Sequence, residues 1–417
     1  MKKNILVFPS ASNLAIEIYY SLSKDKNINL IGCSSLENEI TKIFDANVKI
    51  KRFMHENGFV EELNKLIKKH KIDLIYPLSD DVNLYFSKNI NNFKCGIITS
   101  CYETNLILRS KYKTYKYFEN AINVPKVYEN KDKINKFPVF IKPDEGSSSK
   151  DCYIVESKKE LELLLKKVKN PLIVEYLSGQ EFTVDCFTDF NGHLLFAQPR
   201  LRIFKSLGAS SYTRILPNQE LKNWAFKINE KIKFNGAWFF QTKINSKGDQ
   251  TLLEIAPRIG ASCGINRFND VNFPMLNIFN HYKIPISIDS NNFYITGYRY
   301  LNYKFDFDFK FYKNIYIDFD DTLFINKKLN YDLISFIVKC INHKINVILI
   351  SKHDGNLNKK IKKLRIKNLF DEIIHLKKNE DKSSYMKKNS ILIDDSFSER
   401  KKVKQKGFHA FPPEAFF

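Results

Sequence analysis

The sequence predicts a protein that mixes α/β and α+β architecture in three parts, and three observations point there. From residue 1 to about 105, short apolar runs alternate with amphipathic stretches, the pattern of a parallel sheet covered by helices. From about 106 to 300, apolar runs instead meet at turns, as in antiparallel hairpins. From 312 to 417, three apolar runs each end in carboxylates or a hydroxyl, as strands do where an open parallel sheet binds ligands.

In the first part the expected strands are Asn4 to Phe8, Ile28 to Cys33, Asp73 to Tyr76 and Gly96 to Thr99, with helices such as Phe59 to Lys69 between them. The first strand runs into Pro9-Ser10-Ala11-Ser12 where nucleotide-binding folds place glycines. No dinucleotide site is therefore assigned here, and the domain is expected to shape one wall of a substrate cleft.

The middle part opens with an expected helix, Lys111 to Asn120, and a short strand, Val124 to Tyr128. The strand Phe137 to Pro143 carries Lys142 into a small-residue loop containing Gly146, Ser147, Ser148 and Ser149, followed by the strand Cys152 to Glu156. Free N–H and hydroxyl groups beside a lysine suit an anion such as a nucleotide phosphate, and they equally suit an ordinary surface turn. After the helix Lys158 to Lys169, an apolar run reaches Glu175-Tyr176-Leu177, whose backbone can face an adenine edge, and Glu181 can accept from ribose hydroxyls. A plain strand–turn–strand unit fits the same residues.

The hairpin formed by Ala237 to Ile244, the turn Ser246 to Asp249, and Thr251 to Ile255 anchors the reading. Gln241 and Glu254 are oxygen ligands on neighbouring strands, with the Arg258 guanidinium just beyond. Mg²⁺ and a transferring phosphoryl group require such a set.

In the last part, Ile315 to Ile317 ends in Asp318-Phe319-Asp320-Asp321-Thr322. Carboxylates this close stay ionised cheaply only when they share a cation, which implies Mg²⁺. Asn346 to Ile350 ends in Ser351, Lys382 follows, and Ser390 to Ile393 ends in Asp394-Asp395. The alternating run Phe305 to Phe311 reads as a half-buried strand or a domain junction, with base stacking as the weaker alternative.

Lys plus Arg exceed Asp plus Glu by 67 to 46, but the lysines are scattered through the chain. Neither nucleic acid nor a membrane is expected as a partner. Seven cysteines without a CxxC pairing read as buried thiols of a reducing compartment, and no stretch has transmembrane length, so a cytoplasmic location is expected.

Taken in order, Lys111, FPVFIKP with Lys142, GSSSKD, IVEYLSGQEFTVD, Gln241 and LLEIAPRIG resemble the ATP-grasp superfamily, in particular the carbamoyl-phosphate-synthase-like carboxylate–amine ligases. The resemblance implies a pre-ATP-grasp α/β domain over 1–105 and an ATP-grasp domain over 106–300, with its lid at about 125–185. It implies that Lys111 and Lys142 hold ATP phosphates with the Gly146–Ser149 loop. Glu175, Tyr176 and Leu177 would hold the adenine and Glu181 the ribose, with Mg²⁺ (Mn²⁺ as an alternative) on Gln241 and Glu254 and the phosphoryl group on Arg258. Two departures stand out: Ala256 where such enzymes have a metal-binding Asn, and Ser148 and Asp151 at lid positions often filled by Gly.

The segment 312–417 resembles the haloacid dehalogenase (HAD) superfamily, a Rossmann-like fold, here with gaps too short for a large cap. By that resemblance Asp318 is the nucleophile and Asp320 the general acid and base. Thr322 and Ser351 bind phosphoryl oxygens, and Lys382, with Lys377 and Lys378 as rivals, neutralises charge. Asp318, Asp320, Asp394 and Asp395 hold Mg²⁺. A capless domain would borrow its lid from the ligase body.

The expected function is thus a bifunctional ligase and phosphatase acting on small-molecule carboxylates and amines, with a phosphorylated sugar or amino acid as a further substrate class. A homodimer is compatible with it. Arg200, Arg202, Arg214 and Arg267 are candidate substrate contacts. The alternatives are a phosphatase with a regulatory ATP-binding body, and a pair of binding modules.

Overall fold

An alternation of strands and helices opens the chain. β1 (Lys3–Phe8), α1 (Asn13–Leu22), β2 (Ile28–Ser34), β3 (Ala46–Lys49), α2 (Phe59–Lys69), β4 (Leu74–Pro77), α3 (Asp80–Lys88) and β5 (Gly96–Ile97) form a parallel sheet in the order β3-β2-β1-β4-β5. Alternate residues of β1 face opposite sides. Ile5 and Val7 pack with Ala15, Ile18 and Leu22 of α1, while Leu6 and Phe8 pack with Phe59, Leu63 and Ile67 of α2. The edge strand β3 has no apolar run to announce it, and β5 stops two residues short of the expected Thr99.

The computed structural model describes residues 2–146, 149–206, 209–291, 294–299 and 311–416. The chain divides into two units, Met1–Tyr300 and Leu301–Phe417.

In the first unit, α4 (Tyr102–Arg109) and α5 (Lys111–Phe118) lead to a small antiparallel sheet, β7-β6-β8. It is made of β6 (Val139–Pro143), β7 (Tyr153–Val155) and β8 (Pro171–Glu175), with α6 (Lys158–Lys167) packed on it through Leu161. The expected strand Val124 to Tyr128 shrinks to one bridge, Val127 to Val174. Pro125 has no N–H to extend the ladder.

Six longer strands then build the main sheet, in the order β13-β12-β9-β10-β11-β14. They are β9 (Glu181–Thr188), β10 (Leu194–Ser206), β11 (Ala209–Ile215), β12 (Gly236–Ile244), β13 (Gln250–Ala256) and β14 (Thr296–Tyr298), with α7 (Gln219–Lys231) and α8 (Phe273–His281) beside them. Along β9 the sequence alternates Glu181-Phe182-Thr183-Val184-Asp185, so the sheet has an apolar face and a polar face. The apolar face, with Phe182, Val184, Trp238 and Phe240, packs on Trp224, Ala225 and Ile228 of α7 and on Tyr115 and Phe118 of α5. The polar face carries the site described below. The β12–β13 turn is closed by Asn245 Oδ1, which accepts from the N–H of Lys247 (2.9 Å) and Asp249 (3.0 Å), and Gly248 takes the required left-handed φ of +93°.

The second unit contains β15 (Asn314–Ile317), a hairpin of β16 (Phe324–Ile325) and β17 (Lys328–Leu329), α9 (Tyr331–Asn342), β18 (Asn346–Ser351), α10 (Leu357–Lys363), β19 (Glu372–His375), β20 (Ser390–Ile393), α11 (Phe397–Gln405) and β21 (His409–Phe411). Its parallel sheet runs β19-β18-β15-β20-β21. The three central strands are buried on both faces, which is why they read as unbroken apolar runs. Of the alternating run Phe305 to Phe311, residues 305–310 lie outside the described residues, and Phe311 is exposed.

Among the described residues no helix is long and apolar enough to cross a membrane. The seven cysteines are free.

Trp238 stacks on Phe234 with ring centres 4.0 Å apart and donates through Nε1 to Thr188 Oγ1 at 2.8 Å. Trp238→Ala is expected to lower stability by about 3–5 kcal/mol, read as a lower urea midpoint for the first unit by far-UV circular dichroism.

Candidate functional site

The polar face of the main sheet collects its side chains by register. Arg200 of β10 lies opposite Thr183 of β9, Thr183 opposite Gln241 of β12, and Gln241 opposite Glu254 of β13, so the four share one face in a row. Strict alternation along β13 would put Leu252 and Glu254 on the same side. The pairing instead passes from Gln241–Glu254 to Thr242–Leu252, which leaves Leu253 as an extra, bulged residue. The bulge lets Leu252 and Ile255 both reach the core while Glu254 turns to the polar face.

The same bulge positions a lysine. The carbonyl of Leu253 accepts from Tyr115 Oη at 2.7 Å, and Tyr115 Oη accepts from Lys142 Nζ at 2.6 Å. Lys142 is 5% exposed, and burial pulls its ammonium down to about 8, partly offset by Glu254. Lys111 Nζ donates to the carbonyls of Gly146 (2.9 Å) and Asp144 (3.3 Å), and burial lowers it too. Arg258 makes a two-point pair with Asp80, at 2.7 and 2.8 Å, and lies 5.2 Å from the centre of the Phe239 ring. Arg202 donates to Gln241 Oε1 and to Glu181 Oε1 (2.8 Å). Lys111, Lys142, Arg202 and Arg258 all feel the charge of Glu254. Four cations around one carboxylate form a cradle with a surplus of positive charge, suited to a polyphosphate.

As a metal site, this face offers the Glu254 carboxylate and the Gln241 amide oxygen. Ala256, on the same face, supplies no oxygen. The donor set suits one hard cation that keeps other ligands from water or phosphate.

Several sequence candidates sit otherwise than expected. Both Glu181 oxygens are taken, one by Arg202 and one by Lys205 at 2.5 Å, so a ribose would have to displace or share these cations. Glu175 accepts from the Lys126 N–H at 2.8 Å, and Tyr176 lies under Lys243, 5.5 Å from its ring centre. Leu177 is buried. Ser147 and Ser148 lie outside the described residues, whereas Ser149 takes a left-handed φ of 54° in the loop. Among the substrate candidates, Arg200 is held by Asp185 (2.7 Å) and Arg267 by Glu17. Arg214 alternates with Thr213, a partner of Arg200, and so faces the other side of the sheet, beside Thr296.

In the second unit the ends of β15, β18 and β20 bring Asp318, Ser351 and Asp394 together around Lys382. The Lys382 ammonium donates to Asp318 Oδ1 and Asp394 Oδ2, each at 2.6 Å. Burial raises Asp318 to about 6; Lys382 opposes that shift and Asp394 adds to it. Burial works against the charge of Lys382, but the two carboxylates outweigh it and raise its pKa. Its rivals are elsewhere: Lys378 pairs with Asp354 on the surface, and Lys377 is exposed.

Oxygens of Asp318, Asp394 and Asp395 lie within 4.8 Å of one another, a donor set that fits Mg²⁺. Asp320 does not join them. Its carboxylate instead meets His353 Nδ1 at 2.8 and 3.0 Å. The Thr322 hydroxyl is also engaged, donating to Asp395 Oδ1 at 3.0 Å and accepting from the Asp395 N–H at 2.9 Å.

Sequence reasoning missed Asp80, Tyr115 and His353. Asp80 follows the C-terminal end of β4, where ligands gather on such sheets, and His353 lies two residues past Ser351, so chain position pointed to both. Tyr115 had no signal, because its partners are 27 and 138 residues away in sequence.

Lys382→Met would leave Asp318 and Asp394 buried without their cation. A destabilisation of about 3–5 kcal/mol is expected for the second unit, and urea unfolding that shows no loss would contradict this account.

Residues 167–289 match the family model described as ATP-grasp in the biosynthetic pathway with Ter operon. A D-alanine–D-alanine ligase of Fusobacterium nucleatum is 27% identical over 154 residues, covering 37% of this chain and 46% of that one. The chain spans about half the length of the curated relatives it matches. The biotin carboxylase domain of Hydrogenobacter thermophilus 2-oxoglutarate carboxylase, solved with MgADP, superposes with a TM-score of 0.57 at 13% identity, covering 68% of this chain and 70% of that chain. An L-amino acid ligase from Bacillus licheniformis gives 0.54 at 16%, covering 69% and 75%. Together with the two sheets, these likenesses show an ATP-grasp fold in the first unit.

Proposed function

We propose that the first unit is an ATP-dependent carboxylate–amine ligase and that the second is a HAD-like phosphatase. The observation that carries the ligase reading is the cradle of Lys111, Lys142, Arg202 and Arg258 around Glu254. The ligases of amino acids among the similar proteins support it and favour amino acids as substrates.

In this reading a carboxylate oxygen attacks the γ-phosphorus of ATP and ADP departs, leaving an acyl phosphate. A neutral amine then attacks the acyl carbon, phosphate departs, and the nitrogen gives up its proton to solvent. Lys111 and Lys142 bind phosphate oxygens, and Arg258, fixed by Asp80, faces charge that builds on the transferring group. A divalent ion held at Glu254, with Gln241 as a ligand only where Arg202 releases it, would supply further neutralising charge.

For the second unit, Asp318 would attack the phosphorus of a phosphate ester while Asp320 protonates the departing alcohol. Water would then cleave the aspartyl phosphate as Asp320 takes up its proton. The hold of Lys382 on Asp318 supports this reading, and Mg²⁺ would be held by Asp318, Asp394 and Asp395. A second reading keeps the phosphatase and makes the ATP-grasp body regulatory. The engagement of Gln241 by Arg202 and the absence of an oxygen at Ala256 favour it.

Purified protein with Mg·ATP is expected to release ADP only with particular pools of amino acids or sugar acids, and Lys142→Ala is expected to abolish that release. Free phosphate from phosphorylated pools without any pool-dependent ADP would select the second reading. Asp318→Asn is expected to remove phosphatase turnover and spare ADP release.

Because Lys142 loses its proton near pH 8 in the free protein, nucleotide binding must restore that proton at higher pH. The Kd for an ATP analogue is expected to rise by up to about tenfold per pH unit above that point. Calorimetry in buffers of different ionisation enthalpy should show net proton uptake, and a flat Kd from pH 7 to 9.5 would contradict the assignment.

A further inference from the structure

The ligase site already contains a cation where a metal ion would be expected. Arg202 is 7% exposed, and its guanidinium sits between Gln241 Oε1 and Glu181 Oε1, within the field of Glu254. Sites that transfer phosphoryl groups commonly neutralise them with one or two divalent ions. An ion placed at Gln241 would have to evict a buried guanidinium from two oxygen partners. In return it would gain one neutral amide oxygen, since Ala256 contributes none. The exchange is unfavourable, because a hard divalent ion gains most from carboxylates. A guanidinium is charged at every working pH and presents a planar fork that matches phosphoryl oxygens.

We propose that Arg202 is the resident cation of this site, standing at Gln241 in place of a second divalent ion, so that one ion, at Glu254, completes it. The inference rests on the ligase reading. The guanidinium is held at Gln241 by Glu181, which Lys205 shares, and from that position it supplies the positive charge that a second ion would have brought.

The test counts Mn²⁺ bound per chain by electron paramagnetic resonance, with adenylyl imidodiphosphate at saturation. Ions bound without nucleotide are subtracted, which removes those at Asp318, Asp394 and Asp395. One nucleotide-dependent ion is expected in the unaltered protein, and two would overturn the proposal.

Arg202→Met is expected either to admit a second ion or to lose about a hundredfold in substrate-dependent ADP formation. A count of one with an unchanged rate would also overturn it. Arg202→Lys, which keeps a charge, controls for folding and should keep the count at one. Failure of the unaltered protein to bind the nucleotide at all would instead sink the ligase reading, and this inference with it. Binding with two ions would sink this inference alone.

Discussion

The bulge at Leu253 is the constraint on which the first unit's site depends. One extra residue in β13 reconciles two demands that a regular strand cannot meet together: Leu252 and Ile255 in the core, and Glu254 on the polar face opposite Gln241. It also aims the Leu253 carbonyl at Tyr115, which in turn fixes Lys142. Backbone geometry at one position thus places both the acidic centre of the cradle and one of its cations.

Charge compensation explains how so many cations coexist there. Arg258, Arg202, Arg200 and Arg267 each meet a carboxylate, from Asp80, Glu181, Asp185 and Glu17 respectively, and each carboxylate lies on a different element from its arginine. Buried arginines without such partners would carry a large desolvation cost. The pairs do more than offset that cost, because they fix each guanidinium in one orientation before any ligand arrives. Lys142 meets the neutral Tyr115 among the described residues, and burial pulls its pKa down.

The second unit solves the same problem in reverse, with one buried ammonium shared by two carboxylates. Lys382 holds Asp318 and Asp394 at equal distance, while Asp320 is turned outward to His353. The two acids of the Asp318-Phe319-Asp320 run therefore have separate environments. That separation is what different chemical roles for neighbouring carboxylates require.

The sequence by itself determined the strands with strong period-two or unbroken apolar patterns, among them β1, β9, β12, β15, β18 and β20. It also determined which residues end them. From that pattern Gln241 in the first unit, and Asp318, Ser351 and Asp394 in the second, were readable as candidates, because chain position and alternation decide which face or strand end a residue occupies, whereas the face of Glu254 needed the bulge as well. Tertiary structure decided which charges meet. The pairing of Arg258 with Asp80, the capture of Gln241 by Arg202, the hold of the Leu253 carbonyl on Tyr115 and the placement of Lys382 against Asp318 all arise from contacts between segments apart in the chain. Local pattern carries no record of such contacts. They are selected only when the sheets close and each buried charge must find a partner.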